Sequence, residues 1–241
     1  MNGDVLRNVL RDALGRLEAA RDELRDLDAA IGDGDLGITV AGGAAAVRAE
    51  LEGATGPVAP AEVLRTVAKC FASANPSTMS ALVASALLAA GKAIGNTAEL
   101  DRAGAVAVTQ TAADRIAELG GAQLGDKTIL DALIPSVGAL RNAPSDAHEA
   151  LDRMVNVARQ GVESTTTLQS RRGRAAWVGE RSIGHPDGGA TAYLRLLESL
   201  RAAWPPTHTP SCAKPDLTSD SADTKKASTH EKPSTIRGDH A

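Results

Sequence analysis

The chain has 241 residues, of which 43% are hydrophobic, and this composition suits one compact domain with a real core. A net charge of -4 and a pI near 5.8 argue against a nucleic-acid-binding protein, which would carry a basic patch. Aromatic residues make up only 2% of the chain. The core is therefore expected to consist of Ala, Leu and Val.

The cysteines and the longest apolar stretch bear on where the protein works. Cys70 and Cys212 lie on dissimilar segments, which is no disulfide framework and fits a reducing cytoplasm. The N-terminus has no basic leader before an apolar stretch, so no signal peptide is expected. The longest apolar run, 81–90, is too short to cross a bilayer. We therefore expect a cytoplasmic protein without a membrane or nucleic-acid partner.

The first predicted element is an amphipathic helix. Apolar residues recur at helical spacing from Val5 to Leu17, with charged residues between them. A turn-rich stretch, 22–28, leads into a turn with several acidic residues. The next helix is predicted from about Gly37 to Glu52. Its N-terminus points at the acidic residues, and backbone N–H groups and the helix dipole favour an anion there.

The acidic turn, Asp-Ala-Ala-Ile-Gly-Asp-Gly-Asp-Leu-Gly, carries Asp28, Asp33 and Asp35 within eight positions. Carboxylates this close repel one another unless a cation neutralises them, and Mg²⁺ binds through a few carboxylates plus phosphate and water. The alternative is a solvated turn, because Asp-Gly is a common turn dipeptide. An EF-hand is excluded, since the twelfth position is Thr39 or Ala44 instead of glutamate.

Two helices are predicted in the middle of the chain. Pro60 suits the first position of a helix that runs to about residue 72. Asn75 as N-cap and Pro76 as the first helical residue then predict a helix to about residue 92. Ser77 and Thr78 place hydroxyl groups in its first turn. Simple capping and phosphate binding both explain these hydroxyls.

Four more helices are expected, at about 99–119, 127–141, 146–168 and 188–204. Gly120-Gly121 stops the first of them. Asp126 is predicted to cap the second, which Pro135 should kink or shorten. Ser145 or Asp146 starts the third, and Asp187-Gly188-Gly189 opens the last.

The segment 169–186 has no sustained periodicity and contains a cluster of basic residues: Arg171, Arg172, Arg174, Arg181 and His185. Long irregular segments in compact domains are usually functional. Four arginines near an acidic site fit phosphate binding. A solvated basic loop is the alternative.

No strand pattern emerges along the chain, and eight helices with short connections predict an all-α domain over residues 1–204. From Pro205 onward, apolar residues nearly vanish. Such a segment cannot bury enough surface to offset its ordering entropy, so 205–241 is predicted to be a disordered polar tail. The three histidines of this tail, His208, His230 and His240, are expected to be non-catalytic.

The motif LDAAIGDGDLG resembles the signature of the dihydroxyacetone kinase L subunit family (DhaL, or DAK2 domain), the nucleotide-binding half of those kinases. Two further segments agree in order: GDKTILDALIPSV (Gly125–Val137) and STTTLQSRRGRAAWVGERSIGHPDGGAT (Ser164–Thr191). The resemblance covers roughly residues 1–204. It implies a barrel of eight antiparallel helices with the nucleotide at one end.

The resemblance also implies the residues of the site. The family's three aspartates hold two Mg²⁺ ions that bridge the nucleotide phosphates, and they match Asp28, Asp33 and Asp35. The other matched positions are implied to contact ADP or ATP: Gly37, Ile38 and Thr39 through their backbones, and Ser77, Thr78, Gly120, Ile129, Arg174, Pro186 and Asp187.

Two departures from the family pattern suggest a divergent member. Leu36 stands where the family often has a histidine that could donate to phosphate. Asn-Pro-Ser-Thr-Met at 75–79 replaces the family's glycine-rich turn. These changes bear on the phosphoryl donor and the substrate more than on metal binding.

In the family, a separate DhaK-like K subunit or domain binds the hydroxyketone through a histidine. The L-like domain uses the 204 residues predicted to be ordered, so the resemblance implies a glycerone-kinase-type subunit that acts on dihydroxyacetone or another short ketose with such a partner. Its donor is ATP, or ADP rephosphorylated by a phosphocarrier protein of the phosphoenolpyruvate system. Two other classes stay open: a nucleotide-loaded regulatory module without catalysis, and a stand-alone Mg²⁺-dependent phosphatase, although no general base beyond the metal ligands is evident.

Overall fold

The computed structural model describes residues 1–206. Apart from Pro205 and Pro206, the predicted disordered tail lies outside the described residues. The described residues form nine α-helices: α1 (Gly3–Leu17), α2 (Arg21–Ile31), α3 (Leu36–Gly53), α4 (Pro60–Ala74), α5 (Thr78–Ile94), α6 (Arg102–Gly120), α7 (Leu130–Arg141), α8 (Ala147–Thr165) and α9 (Gly188–Ala203). Two 3₁₀ segments, Glu18–Ala20 and Arg174–Ser182, complete the regular structure, which confirms the all-α prediction.

The stretch 22–28, predicted to be rich in turns, is helical instead and lies within α2. Its charged residues occupy the exposed face of an amphipathic helix, while Leu24 and Ile31 are buried. The 3₁₀ segment Glu18–Ala20 joins α1 to α2 with nearly helical backbone angles. Within residues 1–206, α2 is therefore the one α-helix beyond the eight that were predicted.

The helices pack in chain order into a closed ring. From α3 onward each packs against the next, and α9 packs back against α1, while α1 and α2 both pack against α3. Short connections make successive helices antiparallel. The loops therefore alternate between two ends. We call the end with 32–35, 75–77, 121–129 and 166–187 the site end, and the end with 54–59, 95–101 and 142–146 the opposite end.

The core is built mainly from Ala, Leu and Val, as the composition predicted. One cluster of buried residues is built from the helices α6 to α9 with Ala86 of α5, and a second is built from α1 to α4. Tyr193 is an aromatic member of the first cluster, and its hydroxyl is 2.7 Å from the Ser136 hydroxyl. This hydrogen bond satisfies two polar groups within an apolar core.

Several predicted helix starts agree with the structure. Pro60 is the first residue of α4, and Asp146 and Asp187 are the N-caps of α8 and α9. Each of the two aspartates accepts a backbone N–H from the third residue after it. Pro135 lies inside α7, a helix of 12 residues.

Four predicted helix boundaries are wrong. The helix α6 begins at Arg102 with Asp101 as its cap, three residues later than predicted. Ser77, not Asn75, caps α5, because its hydroxyl accepts the N–H of Ser80 at 3.1 Å. Asp126 does not cap α7, which begins three residues later than predicted, at Leu130, because the Asp126 carboxylate bonds elsewhere. The helix α8 ends at Thr165 rather than near residue 168, and a turn follows it.

Across residues 1–206, no helix combines the length with the apolar character that crossing a membrane requires.

Candidate functional site

Three carboxylates converge in the acidic turn. Asp28 lies in the last turn of α2, and Asp33 and Asp35 lie between α2 and α3. Each offers one carboxylate oxygen, and the three oxygens lie within 4.8 Å of one another. Asp28 is half-buried, whereas the other two are exposed. This set of hard oxygen donors, open to solvent on one side, fits Mg²⁺ with phosphate or water completing its shell.

Glycines and one side-chain hydrogen bond shape this turn. Gly34 has φ +77°, a conformation that side chains other than glycine rarely adopt. A Cβ on Gly37 would lie 2.1 Å from the carbonyl oxygen of Arg21, so only glycine allows the first turn of α3 to approach α2 this closely. The Leu36 N–H donates to Asp28 Oδ2 at 3.2 Å. The carboxylates are thereby fixed beside the N-terminus of α3.

The first turn of α3 presents backbone donors toward the acidic turn. The Thr39 N–H donates to the Asp35 carbonyl at 2.9 Å. Within residues 1–206, the N–H groups of Gly37 and Ile38 have no bonded acceptor. These two are therefore the strongest candidates for holding an anion. The predicted contact of Thr39 with phosphate stays a prediction.

Arg174 extends from the distant 3₁₀ segment to the acidic turn. Its Nη1 donates to Asp35 Oδ2 at 3.1 Å and also contacts Asp33 Oδ2. Desolvation, together with the nearby charge of Asp28, raises the pKa of Asp35 above its usual range. The arginine and the acidic turn, separated by more than 130 residues in sequence, thus form one charged cluster, while the implied contact of Arg174 with nucleotide stays a prediction.

The turn between α4 and α5 lies beside the first turn of α3. Asn75 Nδ2 donates to the Ile38 carbonyl at 3.5 Å, which joins the two turns. Ser77 has the capping role described above, and its hydroxyl is 3.0 Å from that of Ser80. Thr78 is the exposed first residue of α5. The capping interpretation therefore describes Ser77, and phosphate contacts of Ser77 and Thr78 stay predictions.

The loop between α6 and α7 contains a buried acid with two partners. Gly120 ends α6, and Gly121, with φ +55°, turns the chain away from the helix. Asp126, only 2% exposed, accepts from Arg172 Nε and from the Gln123 N–H, each at 3.1 Å. Burial alone would raise the pKa of Asp126, but these bonds outweigh it and lower that pKa. This contact ties the loop to the segment that carries Arg174.

Lys127 is buried directly beside this acid. Its side chain is 1% exposed, and the three N–H groups of its ammonium are shared among four backbone carbonyls, one at the end of α8 and three in the segment between α8 and α9. Burial lowers the pKa of Lys127, and the nearby Asp187 carboxylate opposes that effect. The sequence analysis placed the Gly-Asp-Lys-Thr segment at the site but gave this lysine no role of its own.

Asp187 begins α9 near the predicted positions Ile129 and Pro186. Burial raises the pKa of Asp187 to about 7; the Ala190 N–H and Lys127 oppose this shift, and Asp131 adds to it. A Cβ on Gly189 would lie 3.4 Å from the Ile129 nitrogen, so Ile129 adjoins the start of α9. Pro186 is half-buried immediately before Asp187.

Leu36, which departs from the family pattern, packs against the start of α9. A Cβ on Gly188 would lie 2.7 Å from its Cδ2 atom. The leucine joins the apolar cluster around α1–α4 as a partly buried member. It therefore links the acidic turn to α9 by apolar contact, where a histidine would offer a donor.

Asp131 is a further residue that the sequence analysis missed. It is 4% exposed, and its carboxylate accepts the N–H groups of Gly125 at 2.6 Å and Thr128 at 2.7 Å. A signal was present in the sequence: Asp126, Lys127 and Asp131 stand close together at the start of an apolar helix. Charges in such a position are buried only when they are paired.

The described residues form an all-α barrel that carries an acidic turn, a helix N-terminus and an arginine at one end. Residues 30–202 match the family described as the DAK2 domain, which is more than half of the chain. The chain belongs to this family.

Curated relatives include kinases of two lengths. The chain is 36% identical over 180 residues to the L-erythrulose 1-kinase of Mycolicibacterium smegmatis, a match that covers 74% of this chain and 32% of that protein. It is 31% identical over 204 residues to the ADP-binding subunit DhaL of the PEP-dependent dihydroxyacetone kinase 2 of Listeria innocua, covering 81% of this chain and 94% of the subunit. The chain thus spans about a third of the erythrulose kinase and nearly all of the subunit.

A solved structure shares the fold. The crystal structure of the dihydroxyacetone kinase from C. freundii in complex with AMP-PNP and Mg²⁺ superposes with a TM-score of 0.67 at 23% identity. The match covers 82% of this chain and 33% of that one. It supports the helical barrel as the fold of this chain.

Proposed function

We propose that the chain is the nucleotide-binding phosphotransfer subunit of a dihydroxyacetone-kinase-type enzyme. The observation that carries the proposal is the cluster of Asp28, Asp33 and Asp35 beside the N-terminus of α3, with Arg174 reaching it from across the site end. This arrangement provides acidic ligands for a cation, together with N–H groups and a guanidinium for phosphate. Phosphoryl transfer depends mainly on such positioning and neutralisation of charge.

Each group would have a distinct role. Asp28, Asp33 and Asp35 would hold Mg²⁺, two ions by resemblance, which when bound neutralises charge on the nucleotide phosphates. The N–H groups of Gly37 and Ile38 would orient a phosphate along the axis of α3. Arg174 would add a charge-assisted hydrogen bond to the phosphate that is transferred. The remaining predicted contacts are Thr39, Ser77, Thr78, Gly120, Ile129, Pro186 and Asp187.

A second component would supply the ketose site. The chain spans about a third of the erythrulose kinase it matches but aligns with 94% of an ADP-binding subunit. We therefore infer that it works with a DhaK-like subunit that holds dihydroxyacetone or a tetrulose. Three matched relatives are named as erythrulose kinases, which favours including four-carbon ketoses among the substrates tested. ATP, or ADP recharged by a phosphocarrier protein, would be the donor.

The test is a coupled assay of nucleotide or phosphoenolpyruvate consumption. It is run with this chain alone, with a K-type subunit alone and with both, across dihydroxyacetone and the two erythruloses. We expect activity in the mixture only. Replacing Asp33 and Asp35 by Ala in the mixture should abolish it, whereas a D22A/D26A control, which removes two exposed charges of α2, should not.

One outcome would contradict the proposal, and two others would favour a different function. Ketose phosphorylation by this chain alone would contradict the two-component proposal. Nucleotide binding without activity in every mixture would instead support a nucleotide-loaded regulatory module. Phosphate release from nucleotides or sugar phosphates by the isolated chain would support a Mg²⁺-dependent phosphatase.

A further inference from the structure

We infer that Lys127 is a positioning residue, whose buried ammonium group clamps together the two ends of the segment that carries Arg174. The inference rests on the proposed function, because it concerns how Arg174 is brought to the acidic turn. Lys127 itself does not contact the acidic turn in the described structure. It acts through the backbone of the segment between α8 and α9.

The four acceptors of Lys127 lie in two pairs on either side of this segment. Nζ donates to the carbonyl oxygens of Thr165 at 2.8 Å and Leu168 at 3.1 Å, where the segment leaves α8. It also donates to those of Ser182 at 2.7 Å and His185 at 2.6 Å, where the segment returns to α9. Arg174 lies between the two pairs. One ammonium group thus closes the base of the loop.

The backbone of Lys127 is held in an unfavourable conformation. Its φ of +62° makes it the one non-glycine residue with positive φ within residues 1–206. The Asp131 carboxylate holds the turn by accepting N–H groups on both sides of it, those of Gly125 and Thr128. A left-handed, fully buried lysine is an outlier that points to a functional constraint.

The charge of Lys127 matters as well as its length. Four carbonyl oxygens around a buried cation replace its water, and an uncharged side chain would leave them without donors. Arginine does not substitute, since its planar fork cannot face four carbonyls around one point. Propylammonium, by contrast, has the atoms that Lys127→Ala removes: three carbons and the ammonium nitrogen.

Further contacts secure the base of the same segment. Arg172 donates to Asp126, the residue before Lys127, and the Ser182 hydroxyl accepts the Ser170 N–H at 2.9 Å. Beyond these contacts, the exposed Arg174 reaches Asp33 and Asp35. The clamp therefore fixes the base of the segment and leaves its tip at the acidic turn.

The experiment compares Lys127→Met, which keeps the volume and removes the charge, with Lys127→Ala, which opens the space. Lys92→Met, at an exposed lysine of α5, is the matched control. Hydrogen exchange by mass spectrometry reports on 169–185 and on the helices, and calorimetry gives the affinity for Mg²⁺-ADP. Lys127→Ala is measured with and without propylammonium, and with 1-propanol as the uncharged equivalent.

We expect Lys127→Met to raise exchange in 169–185 at least tenfold, to leave α4 and α5 protected and to weaken Mg²⁺-ADP binding about tenfold. Propylammonium should restore protection and affinity to Lys127→Ala, but 1-propanol should not, and Lys127→Met should not respond. The control should behave like the wild type.

Two results would overturn the inference. One is exchange that rises equally in all helices, because Lys127 would then stabilise the whole domain without positioning the segment. The other is unchanged exchange in 169–185 in Lys127→Met. If the wild type fails to bind Mg²⁺-ADP, the proposed function fails, while the exchange data still decide whether Lys127 clamps the segment.

Discussion

The two ends of the barrel use their charged and polar groups differently. At the opposite end, such groups mainly terminate helices and join neighbouring loops. Asp101 caps α6 by accepting the Gly104 N–H at 2.7 Å, Arg102 donates to the Ala143 carbonyl, and the Met1 ammonium donates to the Leu100 carbonyl. At the site end, by contrast, Asp126, Lys127 and Asp131 are buried charges.

This difference supports the placement of the candidate site at the site end. A buried charge is unfavourable unless it is paired and hydrogen-bonded, and an apolar residue would often serve stability as well. The site end nevertheless keeps three such charges close together at the start of α7. Asp126 and Lys127 have partners that are distant in sequence, whereas Asp131 accepts N–H groups of the preceding loop. The scaffold holds the Arg174 segment and the acidic turn together, whereas the opposite end only connects helices.

The largest expected effect comes from removing acids of the turn. Replacing Asp33 and Asp35 by Ala should abolish Mg²⁺-ADP binding in calorimetry, because two of the three proposed metal ligands are lost. The helical circular dichroism spectrum should stay unchanged, because both side chains are exposed and Asp35 makes no capping bond. The D22A/D26A variant removes the same charge from exposed positions of α2 and should bind normally. Unaltered binding by the first variant would refute the metal assignment.

Arg174→Met is expected to change binding less, and to change the affinities for Mg²⁺ alone and for Mg²⁺-ADP in opposite directions. Without the guanidinium, Asp33 and Asp35 lose a competing cation, so Mg²⁺ alone should bind a few-fold more tightly, in line with exposed ion pairs worth at most about 1 kcal/mol. Mg²⁺-ADP should bind about 10- to 150-fold more weakly, because a charge-assisted bond to phosphate, worth about 1.5 to 3 kcal/mol, is lost.

Arg181→Met is the matched control, since this arginine is exposed on the same segment. Calorimetric titrations with Mg²⁺ alone and with Mg²⁺-ADP measure the two expected changes, a gain in the first affinity and a loss in the second. If both affinities shift in the same direction, Arg174 does not exchange between the acids and phosphate.

Asp187 should make stability depend on pH at the site end. Its pKa is raised to about 7 in the folded protein, so between about pH 4 and 7 the folded state binds more protons than the unfolded state. The contribution of Asp187 to the free energy of unfolding therefore falls as pH rises through this window. Asp187→Asn keeps a capping side chain and removes the titration.

Urea unfolding at pH 4.5, 6 and 8 measures this effect. Asp187→Asn should match the wild type most closely at pH 4.5 and exceed it at pH 8 by roughly 1 to 3 kcal/mol, on the scale of 1.36 kcal/mol per pKa unit. Asp146→Asn, at the half-buried N-cap of α8, is the control and should show no such trend. A constant difference between Asp187→Asn and the wild type at all three pH values would contradict the assignment.

Much of the fold could be predicted from local signals. Periodicity and capping residues located most helices, including the starts of α4, α8 and α9 at Pro60, Asp146 and Asp187. Two failed predictions of helix caps are explained by tertiary contacts of the predicted capping residue. Asp126 has the side chain of a cap, but Arg172, 46 residues away, occupies its carboxylate. Asn75 would cap a helix, but its amide bonds to Ile38.

The site was predictable to a similar degree. The acidic turn is local, so the proximity of its three carboxylates could be expected from their spacing. The three oxygens lie within 4.8 Å of one another, and their metal-binding role stays a prediction. The arginine cluster in 169–186 suggested phosphate binding from composition alone, but only the resemblance to a family selected Arg174 from that cluster. The four carbonyl acceptors of Lys127 have no side-chain signature, so only the folded backbone reveals them.

The smallest effect is expected at the end of the described chain. Removing residues 207–241 should leave helicity, nucleotide binding and the melting temperature nearly unchanged, because the sequence there lacks the apolar content to pack on the barrel. This variant keeps the His148 Nε2 contact with the Pro205 carbonyl, 2.8 Å long and exposed.

Removing 205–241 also deletes that contact and should lower the melting temperature by about 1 to 3 °C, as expected for losing less than about 1 kcal/mol in a domain of this size. Thermal unfolding of the two truncated variants beside the full chain makes the comparison. A loss of several degrees on removing 207–241 alone would show that this segment contributes to the stability of the barrel.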